Sequence, residues 1–201
     1  KPHFLPVTPT GKYLNETLLV RLRKRLGIDT LTPIHRIDRE TAGLVLFSVK
    51  PEGRDLYQRL FRENFVSKHY EAIAPYRNDL DFPMRYRCRL GEGDSFMRMQ
   101  VMTGGIPNAE TEISILKKNK GFAHYLLKPV SGRKHQLRIQ MCSLGIPLLN
   151  DRIYPVHLPE AVTDEMQAEE FKYPLQLVAK SIAFKDPISQ KMRLFESSHT
   201  L

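Results

Sequence analysis

The sequence predicts an α+β domain on a mixed, mainly antiparallel sheet, and three observations lead there. Residues 110–116 and 122–130 are strand-like segments flanking the turn Lys117-Lys118-Asn119-Lys120-Gly121, the clearest hairpin of the chain. Residues 175–184 and 191–195, joined by Asp186-Pro187-Ile188-Ser189-Gln190, form a second hairpin with a longer loop. Helical periodicity occurs only in single segments between such hairpins, which argues against a repeated strand–helix–strand array.

In chain order, a proline-rich opening over residues 1–11 leads to Asn15, placed to cap a helix whose Leu18, Leu22 and Leu26 recur every fourth residue and which Gly27 stops. Arg21, Arg23, Lys24 and Arg25 in its last turns suit the negative end of the helix dipole. Residues 43–49 are an apolar run of strand length, and Pro51 opens a helix carrying Leu56, Leu60 and Phe61. Residues 68–74 read as a strand with Tyr70, Ala72 and Ala74 on one side. Residues 96–102 alternate Arg98 and Gln100 with Met97, Met99 and Val101. After Ser131-Gly132 comes a helix from about 135 to 144, closed by Gly145 and Pro147, with Leu137, Met141 and Leu144 as its apolar stripe. Gln136 and Gln140 fall on a second face and Arg138 on a third.

The length of 201 residues, with 41% hydrophobic residues, suits one domain over 1–201. Lysine and arginine total 31 against 22 acids, a net charge of +9, which points to a polyanionic partner, with nucleic acid the natural choice. Residues 117–138 hold seven basic residues and no acids, whereas residues 139–172 hold two basic residues and six acids, so one basic and one acidic face are expected. The lysine-rich turn reads as a solvated hairpin tip, and the acidic stretch at about 158–172 as a surface insertion. Cys88 and Cys142 read as free thiols of a reducing compartment. With no apolar stretch long enough to span a bilayer and no signal-peptide pattern, a cytoplasmic monomer is expected, its start at Lys1 reading as trimmed. Gly91-Glu92-Gly93 is no dinucleotide fingerprint, no phosphate-binding loop occurs, and the seven histidines lack zinc-ligand spacing, so neither cofactor nor metal is expected.

The segment Pro33-Ile34-His35-Arg36-Ile37-Asp38-Arg39-Glu40-Thr41-Ala42-Gly43-Leu44 places one carboxylate among cations on a connection between elements. Arg36 and Arg39 favour the charged form of Asp38 and attract an anionic ligand to the same place. This segment resembles the HR(L/I)D-x-x-T-(S/A)-G-L motif of the RluA-type pseudouridine synthases. Two further places are similar to that family in the same order: Tyr70 within Ser67-Lys68-His69-Tyr70-Glu71-Ala72, and Gly132-Arg133-Lys134-His135-Gln136-Leu137-Arg138. The resemblance runs on through residues 145–151 to the strand at 175–177. Ala42, Ile37, Gln140 and Val178 depart from the commoner pattern, the last two at positions where histidine is frequent.

The resemblance implies a pseudouridine synthase fold with flanking helices and a central basic cleft, acting on uridines of ribosomal or transfer RNA. Carried over by position, Asp38 is the catalytic aspartate, Tyr70 the aromatic that stacks on the target base and Arg138 the basic residue that pairs with the aspartate. Arg36 fills the space of the flipped nucleotide, and Arg39, Arg133, Lys134, His135 and Gln136 are expected to contact RNA. The chemistry suits these residue types, because isomerising a uridine changes no oxidation state, and an ionised carboxylate is a nucleophile or base on the sugar. Two other classes remain open on the letters alone: a noncatalytic RNA-binding module, and a nucleotide or glycoside hydrolase using Asp38 with Glu40 as the nearest second carboxylate.

Overall fold

The computed structural model describes residues 1–11, 13–95, 97–158 and 164–201, the side chains of Asp164 and Gln167 excepted. The chain forms two compact units, Lys1–Lys68 with Ala179–Thr200, and His69–Val178.

In the first unit, helix α1 (Leu18–Leu26) is capped by Thr17, whose hydroxyl accepts from the Val20 N–H at 3.3 Å. Asn15 was expected there. The cap falls two residues later because the N–H groups of Leu18 and Leu19 donate to the carbonyls of Pro6 and Val7, so the amino-terminal segment starts the helix. The apolar stripe is shifted accordingly: Leu19 is buried and Leu26 is exposed. Residues 43–49 are not one strand. Strand β1 (Thr32–Pro33) pairs with β3 (Phe47–Ser48), while β2 (Ala42–Gly43) pairs with β9 (Leu177–Lys185). The break follows from Gly43, with φ of 110°, where a Cβ would lie 2.3 Å from the carbonyl oxygen of Ala179. Only glycine admits that approach. A 3-10 turn at Pro51–Gly53 leads into α2 (Arg54–Arg62), and Leu60 and Phe61 pack with Leu44, Leu46 and Tyr57 on Val66, Ile182 and Phe184. Strand β10 (Met192–Glu196) pairs antiparallel with β9, as the second predicted hairpin requires.

The second unit is an antiparallel sheet in the order β4-β8-β7-β5-β6. Its strands are β4 (Ser67–Pro75), which starts at the end of the first unit, β5 (Met84–Glu92), β6 (Met99–Met102), β7 (Ala109–Asn119) and β8 (Phe122–Pro129). The predicted hairpin is β7–β8, and its turn residues Lys120 and Gly121 have φ of 44° and 84°, the two positive values of a type I′ turn. Strand β5 was not anticipated, although Met84, Tyr86, Cys88 and Leu90 alternate with Arg85, Arg87 and Arg89. Of the predicted strand at 96–102, Phe96 lies outside the described residues and the strand begins at Met99. Helix α3 (Gln136–Ser143) is buried from Gln136 through Met141, with Leu137 and Met141 in a core shared with Ala72, Tyr125, Leu127 and Ile146. In the acidic stretch, residues 159–163 lie outside the described residues. The remainder includes helix α4 (Asp164–Lys172), where Glu165, Glu169 and Phe171 are exposed and Glu170 is buried.

Candidate active site

Arg36, Asp38 and Arg39 share one loop of the first unit. Asp38 is half-buried and its carbonyl accepts from the Thr41 N–H at 3.2 Å. Upstream, the His35 ring stacks on Phe61 at 4.3 Å between centroids, and its Nε2 accepts the Leu46 N–H at 3.1 Å. Burial, with the Lys68 charge adding to it, pulls the pKa of His35 down to about 4, so the ring is neutral and keeps Nε2 as an acceptor. Downstream, Lys1 Nζ donates to the carbonyl of Arg39 at 2.9 Å, and His3 Nδ1 hydrogen-bonds the carbonyl of Glu40. Burial draws Lys1 down to about 7, a fall opposed by the charges of Glu40 and Asp38. The loop is therefore pinned on both sides of the carboxylate.

Arg36, on the same loop, is exposed. Arg39 is not directed at solvent in the way expected of an RNA contact: it is half-buried, pairs with Glu40 at 3.1 Å and lies against the rings of Phe4 and Tyr13. The same pairing engages Glu40, the second carboxylate a hydrolase would require.

Tyr70 and the residues from Arg133 to Arg138 belong to the second unit. Tyr70 lies opposite Leu127 in the β4–β8 ladder and packs, half-buried, against the main core. Arg138 and Asp151 form an ion pair in which both side chains are almost wholly buried, 1% and 0% exposed. The fork is bidentate, Nε to Oδ2 at 2.8 Å and Nη2 to Oδ1 at 2.7 Å. Asp151 Oδ1 also accepts the N–H groups of Ile153 and Tyr154, and the Tyr154 ring lies 5.7 Å from the guanidinium carbon. Carboxylate and ring together hold the guanidinium plane. Asp151 was visible only as part of a motif, with nothing local to mark it as the partner of Arg138.

The basic turn before α3 divides in two. Arg133 and Lys134 are exposed and suit phosphate contact. His135 and Gln136, expected to touch RNA, are buried. His135 has a left-handed φ of 52° and its Nδ1 lies 3.1 Å from the Tyr154 hydroxyl. Gln136 Oε1 accepts from the Ser131 hydroxyl and the Arg133 N–H, while Nε2 donates to the Glu110 carbonyl and the Thr111 hydroxyl. These bonds satisfy all the amide's polar capacity inside the protein, so Gln136 shapes the turn that presents Arg133 and Lys134. Gln140, at a position where histidine is frequent in the family motif, accepts from Thr111 Oγ1 at 2.6 Å.

A profile of the RNA pseudouridylate synthase family matches residues 1–143, a stretch that includes the braced loop, Tyr70 and Arg138. The chain belongs to that family. Among its relatives, an uncharacterised RNA pseudouridine synthase of Synechocystis is 30% identical over 158 residues, 77% of this chain and 53% of that protein. The dual-specificity RNA pseudouridine synthase RluA of Pasteurella multocida is 26% identical over 195 residues, 90% of this chain and 78% of that protein. The chain thus spans about half the length of the first relative and more of the second. The solved structure of human RNA pseudouridylate synthase domain containing 1 matches with a TM-score of 0.72 and 20% identity, over 91% of this chain and 74% of that one. That likeness establishes the pseudouridylate synthase fold. No helix among the described residues is long and apolar enough to cross a membrane, and no group of three or more His, Cys, Asp or Glu among them is placed to hold a metal ion.

Proposed function

We propose that this protein is an RNA pseudouridine synthase that isomerises specific uridines of ribosomal or transfer RNA, with Asp38 as the catalytic carboxylate. The observation that carries this is the braced Asp38 loop within a chain of the RNA pseudouridylate synthase family. In the reaction the bond between the sugar and N1 of uracil breaks, the base turns, and the sugar carbon bonds to C5. The proton of C5 is lost and N1 gains one, so the product is an isomer. Asp38 acts at the sugar or as a base. By their positions in the family's motifs, Tyr70 is the ring on which the uracil stacks and Arg138 the basic residue of the site, its guanidinium fixed by Asp151.

A base inside a helix must first be flipped out, at a cost of a few kcal/mol that stacking and insertion of Arg36 would offset. Arg133, Lys134 and the net charge of +9 supply affinity for the phosphate backbone, which makes binding salt-dependent. The dual specificity of the Pasteurella relative supports more than one RNA target as substrate. The free thiols Cys88 and Cys142 accord with a reducing compartment such as the cytoplasm, where the chain is taken to act as a monomer.

The test is tritium release from [5-3H]uridine-labelled RNA taken from cells lacking the gene. Wild type should release tritium and create pseudouridine at discrete sites, while Asp38→Asn should bind RNA with nearly unchanged affinity and release none. Full turnover by Asp38→Asn would remove the aspartate from the chemistry.

A further inference from the structure

We propose that Arg39 is a positioning residue for Asp38, held for that task against two aromatic rings; this rests on the assignment of Asp38 as the catalytic carboxylate. The guanidinium carbon of Arg39 lies 5.5 Å from the centre of the Phe4 ring and 5.3 Å from that of Tyr13, both within cation–π range. Its Nη1 pairs with Glu40 Oε1 at 3.1 Å, and the two side chains keep 23% and 17% of their exposure. An arginine that serves phosphate holds its planar fork toward the nucleic acid with its charge available. Arg39 instead lays its faces near rings and shares its charge with a neighbouring carboxylate. Exposed Arg36, two residues before Asp38, shows the contrast within one loop.

The backbone tells the same story. The Arg39 carbonyl accepts from Lys1 Nζ and the Glu40 carbonyl is bonded by His3, while Gly43 N–H donates to the Lys1 carbonyl. Lys1, Phe4 and Tyr13 thus grip both the main chain and the side chain of the residue that follows Asp38, and His3 holds the next carbonyl. Anchoring Arg39 at both main chain and side chain restricts the backbone next to Asp38. Because a shift of about 1 Å at a reacting group costs on the order of a hundredfold in rate, such an anchor is a kinetic device as well as a packing contact. Lysine would keep the charge but lose the planar face and the fork, so it restores the anchor only in part.

The experiment compares wild type, Arg39→Lys, Arg39→Met and Tyr13→Leu on the same [5-3H]uridine-labelled RNA, with Asp38→Asn alongside. It reads kcat, apparent KM, the salt dependence of RNA binding and the thermal melt of each protein. Expected are kcat losses of about tenfold for Arg39→Lys and about a hundredfold for Arg39→Met, an intermediate loss for Tyr13→Leu, and unchanged KM and salt slope. A raised KM with unchanged kcat and a salt slope reduced by roughly 0.7 to 0.9 for each lost contact would make Arg39 a phosphate contact and overturn the proposal. Unchanged kinetics would overturn it too. If Arg39→Met does not fold, Arg39→Lys and Tyr13→Leu decide, and activity falling only with the folded fraction refutes positioning. An inactive Asp38→Asn beside unaffected Arg39 variants sinks the positioning role alone. Absence of tritium release by wild type, or full release by Asp38→Asn, sinks the functional assignment and the Arg39 proposal with it.

Discussion

Removing the carboxylate of Asp151 should be among the most damaging single changes in the second unit. Asp151→Ala takes from the Arg138 guanidinium, 1% exposed, its bidentate carboxylate, and leaves the Ile153 and Tyr154 N–H groups without that side-chain acceptor. Breaking a buried ion pair by deleting one partner costs about 3 to 5 kcal/mol, and each buried N–H left unsatisfied adds about 1 to 3 kcal/mol before relaxation. Because these terms overlap and the chain can shift to admit water, a net loss of about 4 kcal/mol is expected. Against a typical total of about 5 to 15 kcal/mol for a folded domain, that is a large share. A loss of this size corresponds to a fall in Tm of very roughly 8 to 16 °C for a chain of this length. The assay is urea denaturation followed by circular dichroism at pH 7, on wild type, Asp151→Ala, Asp151→Asn and the double variant Arg138→Met/Asp151→Asn. Asp151→Asn retains an oxygen for the two N–H groups but loses the charge, so it should lose less than alanine. The double variant removes both charges and should be more stable than Asp151→Asn alone by at least about 1 kcal/mol. A loss below about 1 kcal/mol for Asp151→Ala, or a double variant no better than the single one, would refute the account of a charge kept buried by its partner.

Two further outcomes follow from the loop and the sheet. His35 has a folded pKa of about 4 against its usual 6.5, so its contribution to stability is fully present above 6.5 and is lost as the pH falls toward 4. At about 1.4 kcal/mol per pKa unit the loss approaches roughly 3 kcal/mol, an upper bound because the ring keeps some contact with solvent; melts between pH 7.5 and 4 should show it, and a His35→Gln variant with the same acid sensitivity would disprove the assignment. Tyr70→Leu should lower single-turnover rate by the loss of about 1 to 3 kcal/mol of base stacking while Tyr70→Phe still binds RNA well; a Leu variant whose activity falls only with its melting temperature would make Tyr70 a core residue.

Local chemistry made much of the chain legible. The β7–β8 hairpin announced itself through strand-like flanks and a Lys120-Gly121 turn, since turn type depends on the turn residues themselves. The loop bearing Asp38, the exposed pair Arg133 and Lys134 and helix α3 were also legible, because spacing and punctuation carry those signals. Strand β5 was equally legible and passed unrecognised, its Met-Tyr-Cys-Leu alternation being as regular as any in the chain.

What the sequence alone determined was therefore a mainly antiparallel α+β fold, a basic surface and a short set of candidate residues. Only the tertiary structure decided which of them face water and what each is bonded to. Gln136 and His135 look like part of a basic turn, yet their partners Glu110, Thr111 and Tyr154 lie on other segments that enclose them. Arg138 finds Asp151 13 residues on, and the Arg39 carbonyl meets Lys1 across 38. The apolar run from Gly43 breaks because the backbone of Ala179 comes within van der Waals reach of a position that must lack a Cβ. Periodicity reports the surroundings of a residue along its own segment, whereas burial, charge pairing and close backbone approach are set by residues distant in sequence, which no local pattern encodes.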